Sequence, residues 1–164
     1  MKRLVKPRLY VETTVWNFVF AADAPEKREI TQAFFAQVRR GLFEPYVSDV
    51  VIAELQAAPE PKRSQLLNLV DEIGPIGLRT SDEAEDLAAK FVAEGMVPER
   101  YGDDALHIAI ALTEGMDALL SWNFKHIVTL KTRLMVAKVC RRAGYKPVQI
   151  SNPGEVGYDS KPQR

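Results

Sequence analysis

The stretch Leu9-Tyr10-Val11-Glu12-Thr13-Thr14, near the start of the chain, sets the pattern by which the rest of the sequence is organised. Leu9-Tyr10-Val11 is a short β-prone run that follows Pro7, and it is typical of a strand. The segment then passes through Glu12 and two threonines into an apolar run, residues 15–20, that is able to begin a helix. We therefore place Glu12 at the end of the first strand.

The same alternation of short apolar runs and amphipathic segments continues along the chain. It predicts further strands at residues 45–48, 75–79, 118–121 and 147–150. Helices are predicted at about 26–40, 50–55, 62–73, 82–95, 103–112 and 131–143, with Asp49 and Asp103 as N-terminal caps of two of them. Strands that alternate with helices indicate parallel βαβ units. We expect one domain, residues 1–150, and a loose C-terminal tail, residues 151–164.

The charge balance excludes a global attraction to nucleic acid or to anionic membranes. Lys plus Arg number 22 and Asp plus Glu number 22 in 164 residues, so the net charge is zero. Any contact with RNA must therefore come from a local basic patch, for which the basic residues of the C-terminal third are candidates.

The single cysteine, Cys140, cannot form an internal disulfide, and its position in a predicted amphipathic helix indicates a buried, inert thiol. No secretory signal and no run of membrane-spanning length is present. We therefore expect a soluble protein in the cytoplasm.

Four polar residues are expected to meet at one edge of the sheet. Glu12 and Asn123 follow predicted strands, Glu54 lies early in the helix after the second strand, and Asp104 lies at a helix N-terminus. In an open α/β sheet, loops after the carboxyl ends of strands share one crevice. Oxygen ligands suit Mg²⁺ or Mn²⁺, and a hard cation activates water for phosphodiester hydrolysis.

Each of these residues also has a structural interpretation. A carboxylate at a helix start commonly caps it, and we assign that role to Asp103 and the site to Asp104. Glu54 has apolar neighbours, where an idle carboxylate is costly. His107 lies on an apolar helix face and is interpreted as a hydrogen-bonded core residue. The chain has no His-Glu-x-x-His, no P-loop and no Gly-x-Ser-x-Gly, which disfavours zinc and serine hydrolases.

Four motifs in this order resemble the PIN domain family of VapC-type toxins over residues 8–150. The motifs are Tyr10-Val11-Glu12-Thr13-Thr14, the segment 48–54 that ends in Glu54, Asp104-Ala105-Leu106-His107-Ile108-Ala109, and Leu120-Ser121-Trp122-Asn123-Phe124. The resemblance implies a three-layer α/β/α sandwich around a mainly parallel sheet, and Mg²⁺- or Mn²⁺-dependent cleavage of single-stranded RNA. It also implies a homodimer that a cognate antitoxin silences.

Two positions depart from the family pattern. Glu12 stands where the family usually has Asp, and Asn123 is neutral at the last position. In the resulting hypothesis Glu12 and Asp104 hold the metal, Glu54 helps to hold it or orients water, and Asn123 binds that water or the metal shell. Supporting contacts are expected from Thr13, Ser121 and Asp103.

Two rival interpretations stay open at the level of the sequence. The first is a PIN-like module that binds RNA or a protein partner without cutting, which the two departures and the neutral charge favour. The second is a phosphoacceptor α/β module, although two acids normally follow the first strand there and only Glu12 does so here.

Overall fold

The structure is a computed structural model that describes residues 5–156, and its centre is a parallel sheet of five strands. The strands are β1 (Arg8–Val11), β2 (Glu44–Ser48), β3 (Ile76–Leu78), β4 (Ala118–Leu120) and β5 (Gln149–Ser151). Their order in the sheet is β3-β2-β1-β4-β5, and every neighbouring pair is parallel. All five strands predicted from the sequence are present, with ends that differ by one or two residues.

The order of the strands places a crevice at the carboxyl end of β1. Tyr10 of β1 is in register with Tyr46 of β2 on one side and with Leu119 of β4 on the other. The chain builds β2 and β3 in one direction from β1 and later returns to build β4 and β5 in the opposite direction. Such a reversal of strand order opens a crevice beyond the carboxyl ends of the two strands at the switch point.

Helices cover both faces of the sheet. The helices are α1 (Thr13–Phe18), α2 (Pro25–Arg39), α3 (Asp49–Gln56), α4 (Lys62–Ile73), α5 (Asp82–Ala93), α6 (Gly102–Thr113) and α7 (Leu130–Ala143). Helices α1 to α4 contact one another, α5 contacts α6, and α5 and α7 line one groove. Because parallel crossovers are right-handed, the two groups lie on opposite faces. The predicted three-layer α/β/α sandwich is confirmed.

The centre of the core is formed by β1 and α6, whose apolar residues are almost all buried. Leu9, Tyr10 and Val11 are buried, because β1 is the central strand and both of its faces are covered. In α6 the apolar run 108–111 is completely buried. A helix that is apolar on most sides must lie inside the protein. The N-terminus of α6, with Asp104, is thereby held near the carboxyl ends of the strands.

Two predicted helix caps are wrong. Ser48 rather than Asp49 caps α3, since its Oγ accepts the Val51 N–H at 3.2 Å. Asp49 instead accepts the Thr80 hydroxyl at 2.6 Å, which joins the start of α3 to the loop after β3. Helix α6 begins one residue earlier than expected, so Asp103 lies in its first turn and no side chain caps it.

The C-terminal boundary also differs from the expectation. Ser151, assigned to the loose tail, is buried in β5, and Pro153–Glu155 form a 3₁₀ turn. That turn packs against α2, and Asn152 and Glu155 close it with a reciprocal capping box. Residues 157–164 of the predicted tail lie outside the described residues, and the domain limits stay a prediction.

The state of the cysteine and the presence of membrane-spanning helices can both be examined in the structure. Cys140 is buried and free, as predicted. No helix within residues 5–156 has both the length and the apolar character needed to cross a bilayer.

The packing of α6 on the sheet generates a prediction on stability. Ile108 has no exposed surface, so Ile108→Ala should lower the free energy of unfolding by about 2–5 kcal/mol, because a cavity is left in a close-packed layer. Leu134, which is 60% exposed on α7, provides the control, and Leu134→Ala should change the free energy of unfolding by no more than about 0.5 kcal/mol. Urea unfolding monitored by circular dichroism measures both. Equal effects of the two variants would contradict a core role for α6.

Candidate metal centre

Glu12 is a buried carboxylate at the switch point of the sheet. It is only 3% exposed and directly follows β1. Its backbone N–H donates to the Leu120 carbonyl at 3.0 Å, which extends the pairing of β1 with β4 by one bond. Two hydroxyls, Thr14 Oγ1 and Ser121 Oγ, each donate to Glu12 Oε1 at 2.6 Å. Both strands of the switch point thus hold this carboxylate.

Glu54 reaches the same crevice from α3. Its Oε1 accepts the Thr13 hydroxyl at 2.7 Å and lies 2.7 Å from Nε2 of His107. An ionised carboxylate has only acceptors, so His107 Nε2 carries the hydrogen of that bond. Thr13 and Thr14 are adjacent in sequence and bind different acids. The turn from β1 into α1 therefore fixes the two carboxylates relative to each other.

His107 is the buried centre of a hydrogen-bond chain behind Glu54. It has no exposed surface, and its Nδ1 lies 2.6 Å from the Tyr10 hydroxyl. The Tyr10 hydroxyl lies 2.8 Å from Ser48 Oγ, which also accepts the helix-capping N–H of Val51. The chain ties β1, β2, α3 and α6 together behind the crevice. The interpretation of His107 as a hydrogen-bonded interior residue agrees with these contacts.

The two carboxylates differ in their electrostatics. Burial raises the pKa of Glu12 above its ordinary value, and the charge of His107 and the bonds from Ser121 and Thr14 offset this only in part. Burial also acts to raise the pKa of Glu54, but the bond from His107, its charge and the bond from Thr13 outweigh it and lower that pKa. Burial, and not mutual repulsion of the two carboxylates, is thus the largest influence on both pKa values.

The acids raise the pKa of His107 in return. Complete burial acts to lower this pKa, but the hydrogen bond to Glu54 and the negative charges of Glu12, Glu54 and Asp104 outweigh burial. The protonated form of the imidazole, which the raised pKa favours, balances part of the negative charge of the crevice. Asp104 contributes to this field although it makes no hydrogen bond with His107.

Asp104 and Asn123 make contacts of another kind. Asp104 Oδ2 lies 2.8 Å from Nδ1 of His126, and the two side chains are 17% and 10% exposed. Asn123 Oδ1 accepts the backbone N–H groups of Lys125 and His126 at 3.1 and 2.9 Å. Asn123 therefore shapes the turn after β4, and this turn delivers His126 to Asp104.

Three potential ligands are close together. One ligand atom each of Glu12, Glu54 and His107 lies within 4.8 Å of the other two. Asp104 is not part of this group in the described range, residues 5–156. Among the predicted supporting residues, Thr13 and Ser121 bind the acids directly, and Asp103 lines an open depression together with Glu54. The roles of Glu12, Glu54, Asp104 and Asn123 in catalysis stay a prediction.

Sequence reasoning gave no site role to Thr14, Tyr10 and His107. Thr14 belongs to the first motif and lies two residues after Glu12. That spacing could have predicted the hydrogen bond from its hydroxyl to Glu12. Tyr10 and His107 gave no such signal, because both stand in apolar runs that predict core residues.

The two carboxylates each have one oxygen to which no side chain donates. The side-chain hydrogen bonds to Glu12 and Glu54 all go to their Oε1 atoms, so no side chain within residues 5–156 donates to either Oε2. Glu12 also receives a hydrogen bond from the backbone of Thr14. Carboxylate oxygens are the ligands that Mg²⁺ and Mn²⁺ prefer, and this donor set fits either ion.

The fold is shared with solved structures of toxins. VapC20 of Mycobacterium tuberculosis, a toxin that cleaves the sarcin-ricin loop, superposes with a TM-score of 0.57 and 14% identity over 72% of this chain and 92% of its own. A chain from the structure of Rickettsia felis VapBC2 bound to a DNA fragment from their promoter gives a TM-score of 0.51 and 13% identity, over 88% and 98%. No family model and no curated protein matches the sequence.

The raised pKa of Glu12 gives a pH-dependent prediction. A carboxyl whose pKa is higher in the folded state stabilises the fold least when the pH lies above both pKa values. Glu12→Gln keeps an oxygen that accepts from Thr14 and Ser121 and removes the buried charge. The metal-free variant should therefore be more stable than the wild type at neutral and alkaline pH, and the difference should vanish as the pH falls below the ordinary value of 4.5.

Thermal melts in EDTA across this pH range measure the effect. Glu29→Gln, which removes an exposed charge on α2, is the control and should follow the wild type at every pH. A Glu12→Gln variant that is less stable than the wild type throughout would show that the charge itself supports the fold.

Proposed function

We propose that this chain, whose fold is the PIN fold of VapC-type toxins, is a metal-dependent endoribonuclease that cleaves single-stranded RNA. The observation that carries the proposal is the pair of carboxylates, Glu12 and Glu54, fixed near the carboxyl ends of the strands, each with one oxygen to which no side chain donates. The likeness to a toxin that cleaves the sarcin-ricin loop supports RNA as the substrate class. A cognate antitoxin and a homodimer complete the proposal, and the likeness to VapBC2 supports a partner of that kind.

In this proposal Glu12, Glu54 and Asp104 hold Mg²⁺ or Mn²⁺. When bound, the cation supplies an activated water and neutralises charge on the phosphate. The chain's own groups preorganise the ligands: Thr14 and Ser121 fix Glu12, while Thr13 and His107 fix Glu54. Such supporting bonds hold carboxylates in the orientation that a metal needs. Their loss commonly lowers metal affinity or activity by about 10- to 100-fold.

The remaining polar groups act on water and on protons. The hydrogen on His107 Nε2 keeps Glu54 ionised, which suits a carboxylate that holds a cation or orients water. Asn123 Oδ1 is occupied by the backbone of the following turn, so its amide Nδ2 is the group that donates to water or to a phosphate oxygen. The longer side chain of Glu12 is accommodated because its Oε1 is anchored on both sides of the switch point.

A second candidate function is a PIN-like module that binds RNA or a protein partner without cutting. The hydrogen bond between Asp104 and His126 favours it, because this bond occupies one oxygen of an acid that the enzyme needs as a ligand. The two functions differ in one respect that is simple to measure, since only the enzyme cleaves RNA when the cation is added.

Titration calorimetry of Mn²⁺, followed by incubation with a mixed single-stranded RNA pool, tests the proposal. The wild type should bind the ion and cut, and both properties should be lost in Glu12→Gln. Asp104→Asn should lower cleavage by at least about 100-fold, the scale at which loss of one preorganised charged group affects catalysis. Asp71→Asn, which removes an exposed carboxylate on α4, is the control and should behave as the wild type.

Two results would contradict the enzyme. Cleavage that persists in EDTA would exclude the metal from the reaction. Wild-type protein that binds RNA but leaves it intact in the presence of Mn²⁺ would select the non-cutting module.

A further inference from the structure

An exposed aromatic side chain lies beside the metal centre. Phe124 is 46% exposed and is the only aromatic side chain within residues 5–156 that is largely open to solvent. It packs edge-on against Trp122, with ring centroids 5.8 Å apart and an interplanar angle of 84°. Trp122 is itself anchored, since its Nε1 donates to Thr31 Oγ1 at 2.8 Å inside the protein. Phe124 is thus an exposed ring on a rigid support.

A lysine ammonium group accompanies these rings. Lys27 Nζ of α2 lies 5.0 Å from the ring centre of Phe124, 5.5 Å from that of Trp122 and 5.6 Å from that of Phe18. Cation–π attraction holds the ammonium at this distance. We call Phe18, Trp122, Phe124 and Lys27 the Phe124 platform. It combines a partly exposed aromatic ring with a positive charge that lies over the rings.

The platform is connected to the metal centre by two hydrogen bonds. The backbone N–H of Trp122 donates to Thr14 Oγ1 at 2.8 Å, and that hydroxyl donates to Glu12 at 2.6 Å. The turn that carries Phe124 is closed by the side chain of Asn123, and the backbone N–H of Asn123 donates to Ser121 Oγ at 2.9 Å. Phe124 therefore has a fixed position relative to the carboxylates.

Two more cations lie on the same turn and its neighbour. Lys125 Nζ and the Arg100 guanidinium lie 5.9 and 5.1 Å from the ring centre of Tyr101, and that ring contacts His126 at 4.5 Å. Lys27 thus lies over Phe124, and Lys125 and Arg100 lie over Tyr101, so three cations accompany these rings in a chain with zero net charge. The alternation of aromatic rings and cations is typical of surfaces that bind single-stranded nucleic acid.

We propose that the Phe124 platform is a nucleotide subsite, in which Phe124 stacks on a base of single-stranded RNA and Lys27 neutralises a phosphate of the same strand. The inference rests on the proposed function, because it assumes an RNA substrate, and it states where one nucleotide of that RNA binds. Stacking tolerates every base, since each has a π-face, so the subsite positions the strand without selecting a sequence. An apolar partner surface has no need for Lys27 over the rings, and this observation favours RNA over a protein as the occupant.

Fluorescence anisotropy with labelled oligoadenylate, in EDTA so that no cleavage occurs, tests the subsite in the full-length chain. The second probe is an abasic ribose-phosphate strand of the same length. Phe124→Ala should weaken binding of oligoadenylate about tenfold and leave binding of the abasic strand unchanged, because only the former has bases to stack. Phe124→Trp should keep the wild-type affinity for both probes.

The lysine has a separate signature. Lys27→Gln should weaken the binding of both probes. It should also reduce the slope of log affinity against log salt concentration by about 0.7, the value expected for one lost phosphate contact on a single strand. Lys138→Gln on α7 removes an equal charge elsewhere and should not change the slope, and Leu134→Ala is the control for loss of an exposed apolar side chain. Circular dichroism checks that each variant is folded.

The outcomes separate this inference from the proposed enzyme. Phe124→Ala that binds oligoadenylate as the wild type does overturns the subsite, even where Mn²⁺-dependent cleavage is intact, and leaves a protein partner as the occupant. An equal loss of affinity for both probes in Phe124→Ala also overturns the subsite, because stacking cannot act on an abasic strand. Base-dependent binding through Phe124 in a protein that never cleaves supports the subsite and refutes the nuclease. A wild type that binds neither probe overturns the subsite.

Discussion

The burial of the Glu12 carboxylate at the junction of β1 and β4 is the constraint on which the rest of the structure depends. It is the only buried acid in residues 5–156, and burial of a charge costs several kcal/mol, as an order of magnitude, unless bonds and opposite charge offset it. The fold supplies hydroxyls from the first turn after β1 and from the end of β4, together with the field of His107. Such a local cost is expected where a protein retains a residue for function rather than for stability.

The second carboxylate is held in a different way. Glu54 is half-buried, and the imidazole of His107 lowers its pKa, so the two acids of the crevice have opposite shifts. The imidazole is itself fixed by Tyr10, whose hydroxyl reaches Ser48 at the start of α3. One network of buried polar groups therefore determines both the orientation of α3 and the charge of the acid that α3 carries. Cooperative networks of this kind specify a single arrangement when every member is satisfied, as is the case among the described residues.

The surface around the crevice has the opposite character. The turn after β4 presents an aromatic ring and a lysine, and α2 and the turn before α6 add a lysine and an arginine. In the proposed function, the carboxylate centre would repel the phosphate backbone of RNA until a cation is bound. The positive groups around it would attract that backbone independently of the metal, so that binding of the strand is separate from its cleavage.

The sequence by itself determined the elements and their order. Short apolar runs and turn residues act locally, so all five strands, the parallel α/β class and the ends of most helices followed from them. Local signals also placed Glu12 at a strand end and Glu54 in α3, but the expected position early in that helix is wrong, since Glu54 lies in the last turn of α3 (Asp49–Gln56). They failed where two neighbours compete for one role, as with Ser48 and Asp49, because both types accept a backbone N–H and only the backbone position decides.

Only the tertiary structure decided which side chains meet. His107 and Glu54 are 53 residues apart, and His126 and Asp104 are 22 apart, so their contacts depend on how each helix is rotated against the sheet. A rotation by one residue turns a side chain by about 100° on a helix, and periodicity does not fix that angle for a helix that is apolar on most sides. For the same reason no local pattern predicted that Lys27 would lie over Phe124, since the two residues belong to elements that meet only in the folded chain.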